Sequence, residues 1–260
     1  MITYSEKEHL IKTLLAGIRF DGRKLDEFRD LKIETNIIST AEGSARVILG
    51  KTELLAGVKL SLGTPYPDTP DEGVLMVGCE LLPIAHGDIE SGPPGIDAIE
   101  ISRVIDRGIR ESHCIDVKKL CIQKGEKVWI VSVDIVPLNH DGNIIDAGAI
   151  AALAALSTTK FPEVKEDGSV NYKKLSKEGL TLEQKPVAIT IAKIRDKLVV
   201  DPSLIEEDAA DARLTVTVME NEQFCSLQKG GDIGLTSEEI EEIFELAVKK
   251  SKEIRAKIFN

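Results

Sequence analysis

KVWIVSVDIVPLNHDGNIIDAGAIAALAAL, from Lys127 to Leu156, carries two different apolar patterns joined by a polar turn. Its first part, Lys127 to Val136, is rich in β-branched side chains, holds the chain's single tryptophan at Trp129, and reads as a strand. Its last part, Ile144 to Leu156, is dominated by alanine and reads as a buried helix whose small side chains let it lie close against a sheet. A strong strand leading straight into a buried helix implies helices set among strands. The expected class is therefore α+β of mixed β-α-β character, or α/β with two β-α-β-like halves.

Working upstream, Ile99 to Ser112 reads as the clearest helix of the middle region, with Ile101, Val104, Ile105 and Ile109 as its apolar stripe. Val74 to Leu82 reads as a buried strand ended by Pro83. Residues 63–73 and 86–97 are rich in glycine, proline and acidic residues; the first is expected to be an exposed, mobile loop. Residues 31–60 read as strands with a tight hairpin at Gly50, Lys51 and Thr52. The segment from Ser5 to about Ile18 has helical spacing, with Ser5 and Glu8 as its capping box, and Asp21-Gly22 breaks it with a turn. Downstream, residues 159–184 are polar and read as a connector. Four strands follow, at 185–194, 197–201, 212–219 and 224–227. A final helix opens at Ser237, with Thr236 and Glu239 as its capping box. The expected organisation is an N-terminal helix and turn (1–30), a first domain (31–160), a connector (161–184), and a second domain with the C-terminal helix (185–260).

Composition limits the function. The chain has 260 residues, 42% hydrophobic and only 4% aromatic, so one large or two small packed domains with an aliphatic core are expected. The net charge of −11 argues against coating nucleic acid with a bulk positive field; RNA contact would need a local arginine cluster. No segment approaches the roughly 18–20 uninterrupted apolar residues of a membrane span, and residues 1–25 lack a signal-peptide pattern. Of the four cysteines, Cys79, Cys121 and Cys225 lie in apolar or strand-like contexts, and none of the four has paired metal spacing; buried thiols and a reducing, cytosolic compartment are expected. His9, His86, His113 and His140 are scattered and read as surface or loop residues.

Several patterns in sequence order resemble the RNase PH family, and within it the second, non-catalytic type of ring subunit in the archaeal exosome. They are RFDGR (Arg19–Arg23), GSARVILGKTELLAGVKL (Gly43–Leu60), PYPDTPDEG, EISRVIDRGIRES (Glu100–Ser112), the opening stretch, and VDPSLIEEDAADARLTVTV (Val200–Val218). The resemblance spans about residues 15–255. It implies two packed sub-domains of the ribosomal-protein-S5-like kind. It also implies a catalytic RNase PH-like sister subunit with which three pairs close a hexameric ring, together with RNA and the exosome's cap proteins as further partners. Inorganic phosphate would be the co-substrate of the complex, with no cofactor belonging to this chain.

Phosphorolysis needs donors that hold two anions close together, and an acid or metal-binding carboxylate for the leaving 3′ oxygen. Catalytic members carry a G-[ST]-R element at the start of the buried helix. Here Gly142 is followed by Asn143 and Ile144, and an isoleucine offers no guanidinium fork. Glu206, Glu207 and Asp208 match the family's first carboxylates. Asp211 and Arg213 compete for the position of the next one. By residue pattern alone Glu206 to Asp211 reads as a solvated acidic turn. No catalytic or metal-ligating role is assigned to any residue. Arg103, Arg107 and Arg110 share a helical face and form a small anion-binding strip, unless Glu100, Asp106 and Glu111 neutralise them. The first two match family arginines that contact RNA near the sister's active site. The expected function is thus a non-catalytic, RNA-guiding subunit of a phosphorolytic 3′–5′ RNA-degrading complex. The alternative is an autonomous exoribonuclease of the same type, and a third reading is an RNA-binding or assembly protein without a phosphorolytic partner.

Overall fold

The computed structural model describes residues 3–164 and 169–259. After helix α1 (Tyr4–Leu15) come β1 (Leu31–Thr35), β2 (Gly43–Leu49), β3 (Thr52–Gly63), β4 (Val74–Cys79), helix α2 (Ile96–Glu111), β5 (Cys121–Gln123) and β6 (Lys127–Asn139). They form one sheet in the order β1-β2-β3-β6-β4, with β5 added along β6. Neighbours are antiparallel except β4, which runs parallel to β6. The expected tight hairpin joins β2 to β3, with Leu49 opposite Thr52 and Gly50 at a φ of 60°, a left-handed turn conformation that glycine adopts without strain.

Helix α3 (Ile144–Ser157) packs across β2 and β3 on one side and meets β9 of the second sheet on the other. Apart from Asp146 and the terminal Ser157 it is apolar all round and has no solvent face to give up; every residue from Ile144 to Leu156 is buried except Ala149. Its alanines keep the layers close. At Gly148 an added Cβ would lie 2.8 Å from the Ile105 side chain, so α3 has no room for a side chain where it meets Ile105 of α2. Trp129 on β6 is 6% exposed and packs beside Phe161, as a core residue should.

The second sheet contains β9 (Val187–Ile194), β10 (Lys197–Val200), β11 (Ala212–Val218) and β12 (Phe224–Gly230), ordered β10-β9-β11-β12 and antiparallel throughout. Helix α5 (Ser237–Phe259) covers β9 and β11, and its expected cap is present: Thr236 Oγ1 accepts from the Glu239 amide, and Glu239 accepts from the Thr236 amide. The architecture is the expected mixed α+β.

Local expectations fail in four places. Helix α1 is capped by Thr3 and Glu6, not Ser5 and Glu8, and it stops at Leu15, leaving Ile18 exposed. The stretch expected to be a connector contains a hairpin, β7 (Lys160–Val164) paired with β8 (Val170–Gly179); residues 165–168 lie outside the described residues. The loop at 63–73, expected to be mobile, is tied down, with Gly125 donating to the Pro70 carbonyl and Gly73 to that of Val117. The supposed acidic turn is helix α4 (Leu204–Ala209), whose Ser203 and Glu206 form a capping box. Among the described residues no helix is long and apolar enough to cross a membrane.

Candidate RNA interface and the degenerate cleft

Strand β6 ends at Asn139, and the chain turns through His140–Asn143 into α3. Gly142 adopts a φ of 91°, and a Cβ there would fall 2.4 Å from the Leu204 amide, so α4 begins directly on this turn. A buried ionic hub fixes it. Asp201, fully buried, accepts from the Arg29 amide, Nε and Nη2 at 2.9, 2.9 and 2.7 Å, from Arg23 Nη1 at 3.0 Å and from Asn143 Nδ2 at 2.8 Å. Arg29 in turn donates to the carbonyls of Asp141 and Gly142. Burial opposes the charge on Arg29, but its bonds to Asp201 prevail and hold it above its ordinary value. Nearby, buried Arg19 grips Glu206 with two bonds of 2.9 and 2.6 Å. Arg19 and Arg23 of RFDGR therefore staple the N-terminal segment to the second sheet, and Gly22 turns the chain at a φ of 80°.

Between the sheets, over this turn, lies a cleft of about 440 Å³. A phosphate-binding helix start presents free amides and cationic side chains. This one does not. The Asn143 amide donates to Glu207 Oε1 at 2.8 Å, so the chain's own carboxylate already occupies it. Ile144 adds only an apolar side chain, and the Asn143 side chain is turned inward to Asp146 and Asp201. Burial pushes the Glu207 carboxyl up to about 7, against the bond from Asn143 and the attraction of Arg213 and Arg29. Asp88, Asp97, Glu100 and Asp208 also line the cleft, against the single arginine Arg213. An anion entering here meets mostly negative charge. His86 and His140, expected apart, face each other with ring centroids 6.1 Å apart; burial, then the neighbouring imidazole, holds His140 below the usual range. Each accepts a backbone N–H at Nδ1, His86 from Asp88 and His140 from Gly142, which in the neutral ring puts the proton on Nε2.

The acidic run is not solvated as a whole. Glu206 is sealed against Arg19 and Glu207 caps α3; Asp208 is exposed. Asp211 turns away to Arg195 at 3.0 Å, whereas Arg213 points into the cleft and pairs with Glu100 at 2.5 Å. Of the two, only Arg213 is directed into the cleft. Among the described residues no three His, Cys, Asp or Glu side chains are grouped to hold a metal ion. All four cysteines are free; Cys79 and Cys114 are buried, while Cys121 and Cys225 are only half-buried.

Helix α2 buries Ala98, Ile101, Val104, Ile105, Gly108 and Ile109 and turns Arg103, Arg107 and Arg110 outward. The three differ. Arg110 is committed to Asp106 at 2.7 Å and to the Leu75 carbonyl at 2.9 Å. Arg107 makes one long bond of 3.4 Å to Gln228 Oε1, and Arg103 has no hydrogen-bond or ion-pair partner among the described residues. Two guanidiniums with open donors thus stand on one face of a rigid helix.

The chain is similar to known proteins over nearly its whole length. Residues 27–162 match domain 1, and residues 185–250 domain 2, of the 3′ exoribonuclease (RNase PH) family. The exosome complex component Rrp42 of Methanosarcina mazei is 48% identical over 255 residues, covering 98% of this chain and 94% of that protein. A chain of the Archaeoglobus fulgidus exosome, solved with RNA bound to the active site, superposes with a TM-score of 0.92 at 42% identity, covering 97% of both chains. One from an archaeal exosome core gives 0.87 at 39%, over 98% of this chain and 97% of that one. With both domain matches in order and near-complete coverage, the chain belongs to the RNase PH family of 3′ exoribonucleases.

Proposed function

We propose that this chain is a non-catalytic subunit of an archaeal-type exosome, the phosphorolytic complex that shortens RNA from its 3′ end. The observation that carries this reading is the α3 N-terminus, where Glu207 occupies the amide and Asn143 and Ile144 stand in place of a hydroxyl and an arginine. Such a cleft has no means of holding inorganic phosphate beside an RNA phosphodiester. Two lines of kinship support the assembly: the Rrp42 relatives named as exosome components and the exosome chains of the same fold. In the proposed ring, three pairs of this chain and a catalytic RNase PH-like sister alternate. This chain carries no cofactor of its own, the sister supplies the phosphate site, and cap proteins sit on the ring. Arg103 and Arg107 contact RNA phosphates beside the sister's active site, without reading bases; Arg110, held by Asp106, contributes less.

The test is Arg103→Glu with Arg107→Glu in the reconstituted ring, using a 5′-labelled oligoadenylate and inorganic phosphate. Both side chains point outward from α2, so the fold and the ring should persist while trimming falls strongly. Trimming at the native rate in an intact ring would remove the proposed RNA role.

A further inference from the structure

We infer that Arg213 is a positioning residue for RNA: by holding Glu100 it keeps Arg103 free of a carboxylate and leaves Arg107 on the neutral amide of Gln228. The inference rests on the reading of those two arginines as RNA contacts, and it assigns a use to the one arginine that lines the cleft.

Four carboxylates accompany the arginines on α2, the first of them, Asp97, in its opening turn, six residues before Arg103. Asp106 takes Arg110. Glu111 stands four residues beyond Arg107, at pairing distance along the helix, yet among the described residues the two form no ion pair. Glu100 sits three residues before Arg103, the spacing at which an acid and a base on a helix surface pair. It does not pair with Arg103, because the Arg213 guanidinium reaches across from β11 and takes Glu100 Oε2 at 2.5 Å. The other oxygen, Oε1, accepts from Gln228 Nε2 at 3.3 Å, and the carbonyl end of the same amide accepts from Arg107 Nη1 at 3.4 Å. A short relay therefore runs Arg213–Glu100–Gln228–Arg107. It fixes Arg107 through a neutral amide rather than a carboxylate. Room for the reach is built in: Gly230 lies directly opposite Arg213 on β12, and a Cβ there would meet Arg213 Nε at 2.5 Å.

Without Arg213, Glu100 would be released, either to bind Arg103 or to stand as a bare negative charge beside the RNA path. Glu100 and Arg213 are 30% and 24% exposed, so solvent screens the effect and it should be moderate.

The experiment uses rings reconstituted with the catalytic sister, measuring KM for oligoadenylate and kcat separately. Arg213→Ala should raise KM roughly three- to fivefold with little change in kcat, and the rise should shrink at high salt. Adding Glu100→Gln should return KM to near the native value, since no carboxylate is left to release; Glu100→Gln alone should bind RNA at least as tightly as the native ring. Arg213→Lys, which keeps the charge, should largely restore binding. Arg213→Gln gives the same reading as Arg213→Ala if the latter does not assemble, with ring integrity checked by size-exclusion chromatography. A native KM for Arg213→Ala, or a double variant as impaired as the single one, would overturn the inference. If Arg103→Glu/Arg107→Glu impairs trimming while Arg213→Ala does not, only this inference fails; if neither does, the RNA role of the strip fails first.

Discussion

Replacing Asp201 with asparagine should destabilise the folded chain more than any surface substitution could. The side chain is fully buried and accepts five hydrogen bonds, four from Arg23 and Arg29 and one from Asn143. Asparagine keeps the shape but removes the charge and presents an NH2 group to donors, so at least one donor is left facing another. Arg29, itself only 7% exposed, loses its main counter-charge while keeping its carbonyl acceptors at Asp141 and Gly142. Removing one partner of a buried ion pair costs about 3–5 kcal/mol; the retained carbonyls place the expectation near the lower end, about 3 kcal/mol. Guanidinium unfolding of the purified chain, followed by circular dichroism, would show this as a lower midpoint at an unchanged slope. A loss below about 1 kcal/mol, the range of an exposed pair, would refute the claim that this hub fixes the turn beneath the cleft.

Other outcomes follow from the same geometry. Asp146 is fully buried, and burial pushes its carboxyl up to about 7 despite bonds from Thr190 and Asn143. Because the folded value lies above the ordinary 3.8, the folded state binds more protons between about pH 4 and 7. Stability from this group is therefore lost as pH rises through that window, by up to about 1.4 kcal/mol per unit. Asp146→Asn should flatten the fall, and an identical pH profile for both proteins would disprove it. For the cysteines, burial drives the Cys79 and Cys114 thiols up to about 12 and that of half-buried Cys225 to about 11. A thiol reagent at pH 8 should therefore react promptly with Cys121 alone, and Cys121→Ser should abolish the fast phase; a fast phase surviving that change would show another thiol to be open.

The strands and helices with a strong period were legible in the sequence. The all-apolar run of α3, the amphipathic stripe of α2 and the Thr236–Glu239 cap of α5 each state their structure locally. Residues 3–8 contain two overlapping capping boxes, Thr3–Glu6 and Ser5–Glu8, and local spacing does not choose between them. Hairpin β7–β8 shows no sustained period-two pattern to mark it, since Pro162 interrupts the first strand and adjacent lysines at 173 and 174 interrupt the second. Helix α4 is too short for a period, although its Ser203–Glu206 capping box was a readable signal. The buried carboxylates were beyond local reading, because an acid looks solvated until its partner is known: Arg19 lies 187 residues from Glu206 and Arg29 172 from Asp201. The same distance hid the pairing of Arg213 with Glu100. The Asp106–Arg110 pair, four apart on one helix, could have separated Arg110 from Arg103 and Arg107 at the outset.

The central claim is that this chain cannot perform phosphorolysis by itself. The most direct measurement is the decay of 5′-labelled poly(A) RNA in inorganic phosphate, with this chain alone and then with its catalytic sister. The account predicts no shortening alone, and processive shortening from the 3′ end with release of nucleoside diphosphates when the two are combined. Phosphate-dependent shortening by the purified chain alone would mean that a helix start capped by Glu207, with Asn143 and Ile144 behind Gly142, still binds phosphate, and would contradict the account.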